Sequence, residues 1–515
     1  MMWAVAVVVS AALLVINAYR GELNQDEGWY LYAARLASEG RMPYRDFAFT
    51  QGPVMAFTYA LARPLVTASG LLGGRLFTVA LALVGMACAA GLAARVTAGR
   101  KCVGAFLATV LVGVNVYQSY FCSIVKTYSL ASAWLMAGLL VLGLAEGRKG
   151  HLAAFVGGVL MALAAGTRIT LVVAPLVASA WLLVRARRYF LAFTVGAAAA
   201  GCLVFVPFLV SARDNFVFCM AGYHAAREAS GLSALLLRAG SLSRLLGAYS
   251  VAFAALCGAA VARLAVGKRE GYENRAGRGD VQAAMPGILW TSVVLIGLGH
   301  LSAPFPYDDY QAVVFPVLAA ALASWVAGIS VRLSSKGTAA LGAGMLVVSL
   351  GAAAASPIAQ GWVVKGHDRL WVVRREQAPL ALLQEVGRYL RQQAGEDGEI
   401  LTQDIYLAVE TGLTVPPGLE MGQFSYFPDM DRAEAEERKV VNRETLRELL
   451  AGCDATVAAF SGYGLSVRCP DVSELSREEQ DELWAIVGER YEPLKTVEGF
   501  GQAGTTLRIL RRRNE

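Results

Sequence analysis

The chain has 515 residues, of which 56% are hydrophobic and only 17% charged, a balance more apolar than that of soluble domains. Its 46 Lys and Arg against 40 Asp and Glu leave a formal net charge of +6, yet no basic stripe with interleaved aromatics is present, which argues against nucleic acid as a partner. The absence of a Walker loop, of a GxGxxG after a strand and of HExxH removes nucleotide hydrolysis, dinucleotide redox chemistry and zinc proteolysis.

Residues 1 to 19 form an apolar run with no basic beginning and no small-residue cleavage pattern before Arg20, so they read as a retained first span. The loop that follows, 20 to 71, places Asp26 and Glu27 side by side, then Trp29, Tyr30 and Tyr32. Carboxylates at the lip of a helix bundle are candidates for chemistry. The plainer alternative is a helix start, with Asn24 or Asp26 as N-cap and Glu27 complementing the helix dipole. Within the loop, 53 to 66 is too short to span and carries Arg63, so it is expected to lie in the interface.

Ten further apolar runs follow, near 72 to 94, 103 to 121, 124 to 145, 152 to 166, 170 to 184, 189 to 210, 245 to 265, 285 to 301, 311 to 331 and 338 to 359, which makes about eleven spans. The pair at 152 to 184 is too long for one crossing. Its basic flanks, Arg148 and Lys149 before and Arg185, Arg187 and Arg188 after, make it a hairpin with Gly166, Thr167 and Arg168 at the opposite surface. Alternation then gathers the short basic loops on one side, which the positive-inside rule makes cytoplasmic. The other side receives 20 to 71, 211 to 244, 302 to 310 and the tail. His224 stands in the second of these loops; Tyr307, Asp308, Asp309 and Tyr310 cluster in the third. Two adjacent Asp residues are capable of holding a divalent ion, but no metal is assigned.

From about 361 the composition turns mixed-charge. ILTQDIYLAVETG, CDATVAAFSGYG and TTLRILRRR read as strands or strand and turn; APLALLQEVGRYLRQQAG and SREEQDELWAIVGERY read as amphipathic helices. The expected architecture is an all-α polytopic membrane bundle over 1 to 360 and a C-terminal soluble α/β domain over 361 to 515, outside the cytoplasm. Six cysteines lie in or beside apolar runs and read as core residues. Cys453 and Cys469 are in the tail, where an oxidising compartment permits a disulfide.

An acidic pair in the first outer loop, a Tyr, a GP step before an interfacial stretch, and GGRLF opening the second span together resemble the C-type (GT-C fold) glycosyltransferases, among them the protein O-mannosyltransferases and the aminoarabinose transferases of lipid A. AAGTRIT with Arg168, DNFVFCMAGYHAARE with His224, APFPYDDYQAVVFP and ILTQDIYLAVETGLTVPPGLEMGQFSYFP add to the likeness. The resemblance implies a polyprenyl-phosphate sugar as donor and a hydroxyl acceptor on a protein, lipid or glycan, met at the outer face of the inner (plasma) membrane, with no cofactor. Such a reaction wants a base for the acceptor proton, the place given to Asp26 with Glu27 in support. The developing phosphate charge wants a cation: Arg168 first, Lys126 second, each also readable as an interfacial anchor. Tyr30, Tyr128, His224, Tyr307 and Tyr310 are candidate substrate contacts. One departure is Tyr128, where many members carry a second acid. A flippase of lipid-linked sugars and a non-catalytic envelope assembly protein are the rival functions; the first predicts charges near span centres.

Overall fold

In the computed structural model, residues 1–226, 231–266, 280–360, 377–395 and 398–513 are described. Lys268, Arg269, Arg275 and Arg278, which make the connection between the runs at 245 to 265 and 285 to 301 one of the short basic loops, lie outside them. Six described helices are long and apolar enough to cross a bilayer: α1 (Met2–Arg20), α5 (Leu71–Val96), α9 (Gly150–Thr167), α11 (Arg187–Ser211), α16 (Val281–Leu301) and α18 (Ser335–Gln360). Shorter apolar helices are α6 (Lys101–Gly113), α8 (Thr127–Gly143), α10 (Val173–Arg185, entered through the 3-10 turn Ile169–Val172) and α17 (Phe315–Ser330). With the bent pair α14 (Gly231–Ala248) and α15 (Ser250–Val266), these account for every apolar run read in the sequence. The short helices α7 (Val116–Phe121), α12 (Arg213–Val217) and α13 (Tyr223–Ala225) fill connections. The protein is a multi-pass membrane protein. Leu203, Val210 and Leu264 are at least 77% exposed, an arrangement that hydrocarbon accepts and water penalises.

The run at 245 to 265 needs correction. Its helix breaks at Tyr249, and the two halves meet at 81°. The Tyr249 ring stacks on Phe315 at 3.9 Å and its hydroxyl donates to Gln118 Oε1 at 2.8 Å. On the α14 side Arg238 donates to the carbonyl of Leu301 at 3.0 Å. A segment with such a cation cannot continue cheaply into hydrocarbon.

Between α1 and α5 the chain forms α2 (Gln25–Ser38), α3 (Pro53–Ala60) and α4 (Arg63–Ser69), the last two too short to span, as expected of 53 to 66. In the tail, β1 (Ile400–Thr402), β2 (Val457–Phe460), β5 (Tyr491–Phe500) and β6 (Thr505–Arg512) form one sheet in the order β1-β2-β6-β5. β1 and β2 run parallel and the other pairs antiparallel; β3 (Val467–Arg468) and β4 (Ser473–Glu474) form a separate two-stranded ladder. Two amphipathic helices, Pro379–Ala394 and Arg477–Arg490, fall where expected. The segment ILTQDIYLAVETG is strand only for three residues and then becomes a helix, Ile405–Thr411, ended by Gly412 in the left-handed conformation (φ 75°). Cys453 and Cys469 are both buried and not joined in a disulfide.

One cluster of the tail, around Leu446, Leu450, Phe460 and Leu483, is its own core. A second is shared: Tyr44, Phe47, Phe49 and Tyr59 of the first loop pack with Leu383, Tyr406, Phe427 and Ile509. The contact is close enough that a Cβ on Gly28 of α2 would lie 2.2 Å from the Tyr406 nitrogen. Gly28→Ala must therefore part the two helices, at a cost of about 1–3 kcal/mol. The expected outcome is faster amide exchange across 400–415 and a lowered melting temperature. Unchanged exchange there would mean that the two layers are not tightly docked.

Candidate functional site

The site begins with a helix start. Asn24 caps α2, its side chain accepting from the Asp26 nitrogen at 3.1 Å while Glu27 Oε2 accepts from the Asn24 nitrogen at 3.1 Å, a reciprocal capping box. That box separates the two acids. Successive helical residues point about 100° apart; Glu27 turns inward and is 0% exposed, whereas the Asp26 side chain keeps 24% of its surface.

Glu27 meets Arg75, the arginine of GGRLF in the first turns of α5, also 0% exposed. Arg75 Nε and Nη2 donate to Glu27 at 2.8 and 2.6 Å, and the remaining hydrogens go to the carbonyls of Ala18, Gly21 and Glu22 at 3.1, 3.2 and 2.7 Å. Glu27 Oε1 also accepts from the Val125 nitrogen at 3.0 Å. The acid is thus spent on structure, and what it fixes is the backbone beside Lys126. Arg75 has no role in the sequence reading. The signal is present, since a charge inside an apolar run is expensive and demands a partner.

Asp26 faces the other way. Trp29 Nε1 donates to its Oδ1 at 3.3 Å, and its Oδ2 lies 3.1 Å from Lys126 Nζ. Lys126, the residue before α8, has its second carboxylate partner in Asp309 Oδ2 at 2.9 Å. Asp309 lies in the 3-10 turn Asp308–Val313 before α17; the Asp308 side chain lies outside the described residues. Burial alone would raise Asp309, but Lys126, a hydrogen bond from Tyr128 and the nearby Arg168 hold its carboxyl below the usual carboxylate range. Among the described residues no group of three or more His, Cys, Asp or Glu side chains is arranged for a metal.

Arg168 interrupts the helix after α9 in extended backbone (φ −143°, ψ 111°). Its guanidinium lies over the Tyr310 ring at 4.3 Å and the Tyr128 ring at 5.2 Å, and Nη1 donates to Thr127 Oγ1 at 3.2 Å. Its Nε is buried without a hydrogen-bond partner. Lys126 Nζ lies 5.5 Å from the same Tyr128 ring. Tyr30 is buried beside this group, edge-on to Trp29 at 4.0 Å, and burial followed by the Asp26 charge pushes its phenol well up, so it remains a proton donor at neutral pH.

Asp26, Tyr30, Lys126, Tyr128, Arg168 and Tyr310 therefore converge from four separate stretches of chain. Tyr307 is a rim residue, 37% exposed, its ring 5.5 Å from that of Tyr310. His224 lies against the first loop, Nε2 at 3.0 Å from the Thr50 carbonyl. In the sequence Asp309 is only half of an acidic pair; its contact to Lys126 spans 183 positions, and nothing local announces it. The tail roofs the same end: Gln25, next to Asp26, donates to Asp404 at 3.0 Å and Tyr406 at 3.2 Å, and its nitrogen donates to Gln502 at 3.0 Å.

No known family profile matches the sequence, and neither does any curated protein. Solved structures do match. ArnT from Cupriavidus metallidurans bound to undecaprenyl phosphate is similar over 99% of this chain and 97% of its own, with a TM-score of 0.60 at 14% identity. The Archaeoglobus fulgidus oligosaccharyltransferase tethered with an acceptor peptide is similar over 100% of this chain and 74% of its own, at a TM-score of 0.53 and 11% identity. The arabinofuranosyltransferase AftD from Mycobacteria gives 0.50 at 17% identity; the match covers 100% of this chain and 40% of that one. These likenesses establish the fold. It is the polytopic helical bundle that the resemblance to the C-type glycosyltransferases implied, with a small C-terminal sheet region.

Proposed function

We propose that the protein is a membrane glycosyltransferase that moves a sugar from a polyprenyl-phosphate donor to an acceptor hydroxyl at the outer face of the inner membrane, with the N-terminus cytoplasmic and the tail outside. The observation that carries this reading is one partly exposed carboxylate, Asp26, paired with Lys126, which shares the Tyr128 ring with a second cation, Arg168, at one end of the bundle under the tail. A flippase is expected to place its charges near span centres; here the exposed acid and both cations stand at span ends.

Asp26 takes the proton of the acceptor hydroxyl as its oxygen forms a bond to the anomeric carbon. The bond from that carbon to the phosphate oxygen breaks, and its electron pair leaves with the lipid phosphate. A phosphate is a good leaving group and needs no acid, but its growing charge is stabilised by preorganised donors. Arg168 suits this role, because its Nε is uncommitted and the aromatic faces of Tyr128 and Tyr310 hold the guanidinium without consuming its hydrogens. Lys126 supplies the second cation. Glu27 serves through Val125, fixing the backbone from which Lys126 extends. The likeness to ArnT bound to undecaprenyl phosphate supports a lipid phosphate as the donor's carrier.

The test compares, by mass spectrometry, surface glycans and lipids of cells with the chain, without it, and with Arg168→Ala. Loss of the chain is expected to remove one sugar from one acceptor class. Arg168→Ala is expected to leave the protein folded in the membrane and to slow transfer at least about 100-fold. If the variant restores the sugar fully, Arg168 is an anchor and not a phosphate contact; if deletion changes no glycoconjugate, the transferase reading fails.

A further inference from the structure

Resting on the transferase reading above, we infer that Asp309 is a positioning residue that shares Lys126 with Asp26 and thereby sets both where that ammonium stands relative to Asp26 and the grip of the site on the donor's phosphate. Lys126 Nζ stands between the two carboxylates, 3.1 Å from Asp26 and 2.9 Å from Asp309. With Arg168 these make two positive and two negative side chains in one partly closed site, the Lys126 and Asp309 side chains only 11% and 12% exposed. An ammonium paired with Asp26 alone would be drawn fully onto the carboxylate that the acceptor hydroxyl has to reach. A second carboxylate on the same ammonium divides that pull and holds Nζ between the two.

Asp309 is built to stay where it is. The Tyr128 side chain is near enough to help hold its charge. The turn that carries it is clamped by Gln118, whose Nε2 donates to the Ala312 carbonyl at 2.8 Å and whose Oε1 accepts from Tyr249 at 2.8 Å. Gln118 is 2% exposed, with both ends of its amide committed. Through Tyr249 the bend between α14 and α15 braces the same turn. Asp309 does not touch the acceptor proton in this arrangement; it acts through Lys126.

Removing this one charge has two opposite consequences. The site becomes more positive and holds an anionic lipid more tightly, while Lys126, now drawn to Asp26 alone, crowds that carboxylate against the acceptor hydroxyl and transfer slows. A general folding defect weakens both together. The probe is undecaprenyl phosphate, titrated into the full chain reconstituted in nanodiscs. Asp309→Asn is expected to bind it about three- to tenfold more tightly than the unsubstituted chain, while transfer in the cell assay falls. Equal or weaker binding by a folded Asp309→Asn overturns the inference. No binding by the unsubstituted chain sinks the lipid-phosphate reading itself, and this proposal with it. Should Asp309→Asn fail to fold, Lys126→Met combined with Asp309→Asn removes both charges at once. Lys126→Met alone leaves the Asp309 charge facing the phosphate, so the pair must bind the lipid more tightly than Lys126→Met does; equal or weaker binding by the pair overturns the inference.

Discussion

Asp26→Asn is expected to reduce sugar transfer by about 100- to 10,000-fold, the range over which a positioned general base contributes, with the protein still folded and in the membrane. The fold should survive because Asn preserves the shape and still accepts from Trp29. Lys126 is not stranded either, since Asp309 remains 2.9 Å away. The lost carboxylate can no longer take the acceptor proton, and an amide cannot replace it. Undecaprenyl phosphate binding should be kept or strengthened, because a negative charge beside the cations has gone. The measurement is transfer in cells or nanodiscs set beside the melting temperature and lipid affinity of the same preparation. Transfer within about tenfold of the unsubstituted chain would remove Asp26 from the base's role and revive the assembly-protein reading.

How much of this is legible in the sequence depends on the range over which each feature is encoded. Apolar runs encode spans locally, so every run found its helix. What they do not encode is a bend: nothing in the 245 to 265 run marks Tyr249 as a break, because the cause lies in Gln118 and Phe315 on other helices. The division of labour between Asp26 and Glu27 is half legible. Asn24 followed three residues on by Glu27 is a capping-box pattern, and it already implies that Glu27 is occupied and Asp26 is not. The sheet is readable through β1, β2 and β6, but β5 is not, since YEPLKTVEGF is largely exposed and carries Pro493 near its start. Arg168 and Lys126 carry a local signal, a cation at the end of a span. Asp309 carries one too, but its partner is unreadable without the fold.

Arg75→Met is expected to be the most destabilising single change, by about 3–5 kcal/mol, enough to keep most of the chain from accumulating. Removing one member of a fully buried ion pair leaves the other charge without compensation. Here Glu27 would keep only the backbone donors of Asn24 and Val125, and the carbonyls of Ala18, Gly21 and Glu22 would lose a donor at the end of α1. Because the cost lies in the stranded charge and not in the absence of the pair, Glu27→Gln added to Arg75→Met should recover much of the stability. Gln keeps the shape and removes the charge. The double variant also separates support from chemistry. If Glu27 works by holding Val125, and so Lys126, then the recovered protein should melt near the unsubstituted chain but transfer more slowly, since a neutral amide binds the Val125 nitrogen less firmly than a carboxylate. Melting curves and transfer rates of the single and double variants decide it. A double variant no more stable than Arg75→Met alone would show that Arg75 holds the end of α1 through its carbonyl contacts and that the ion pair is secondary.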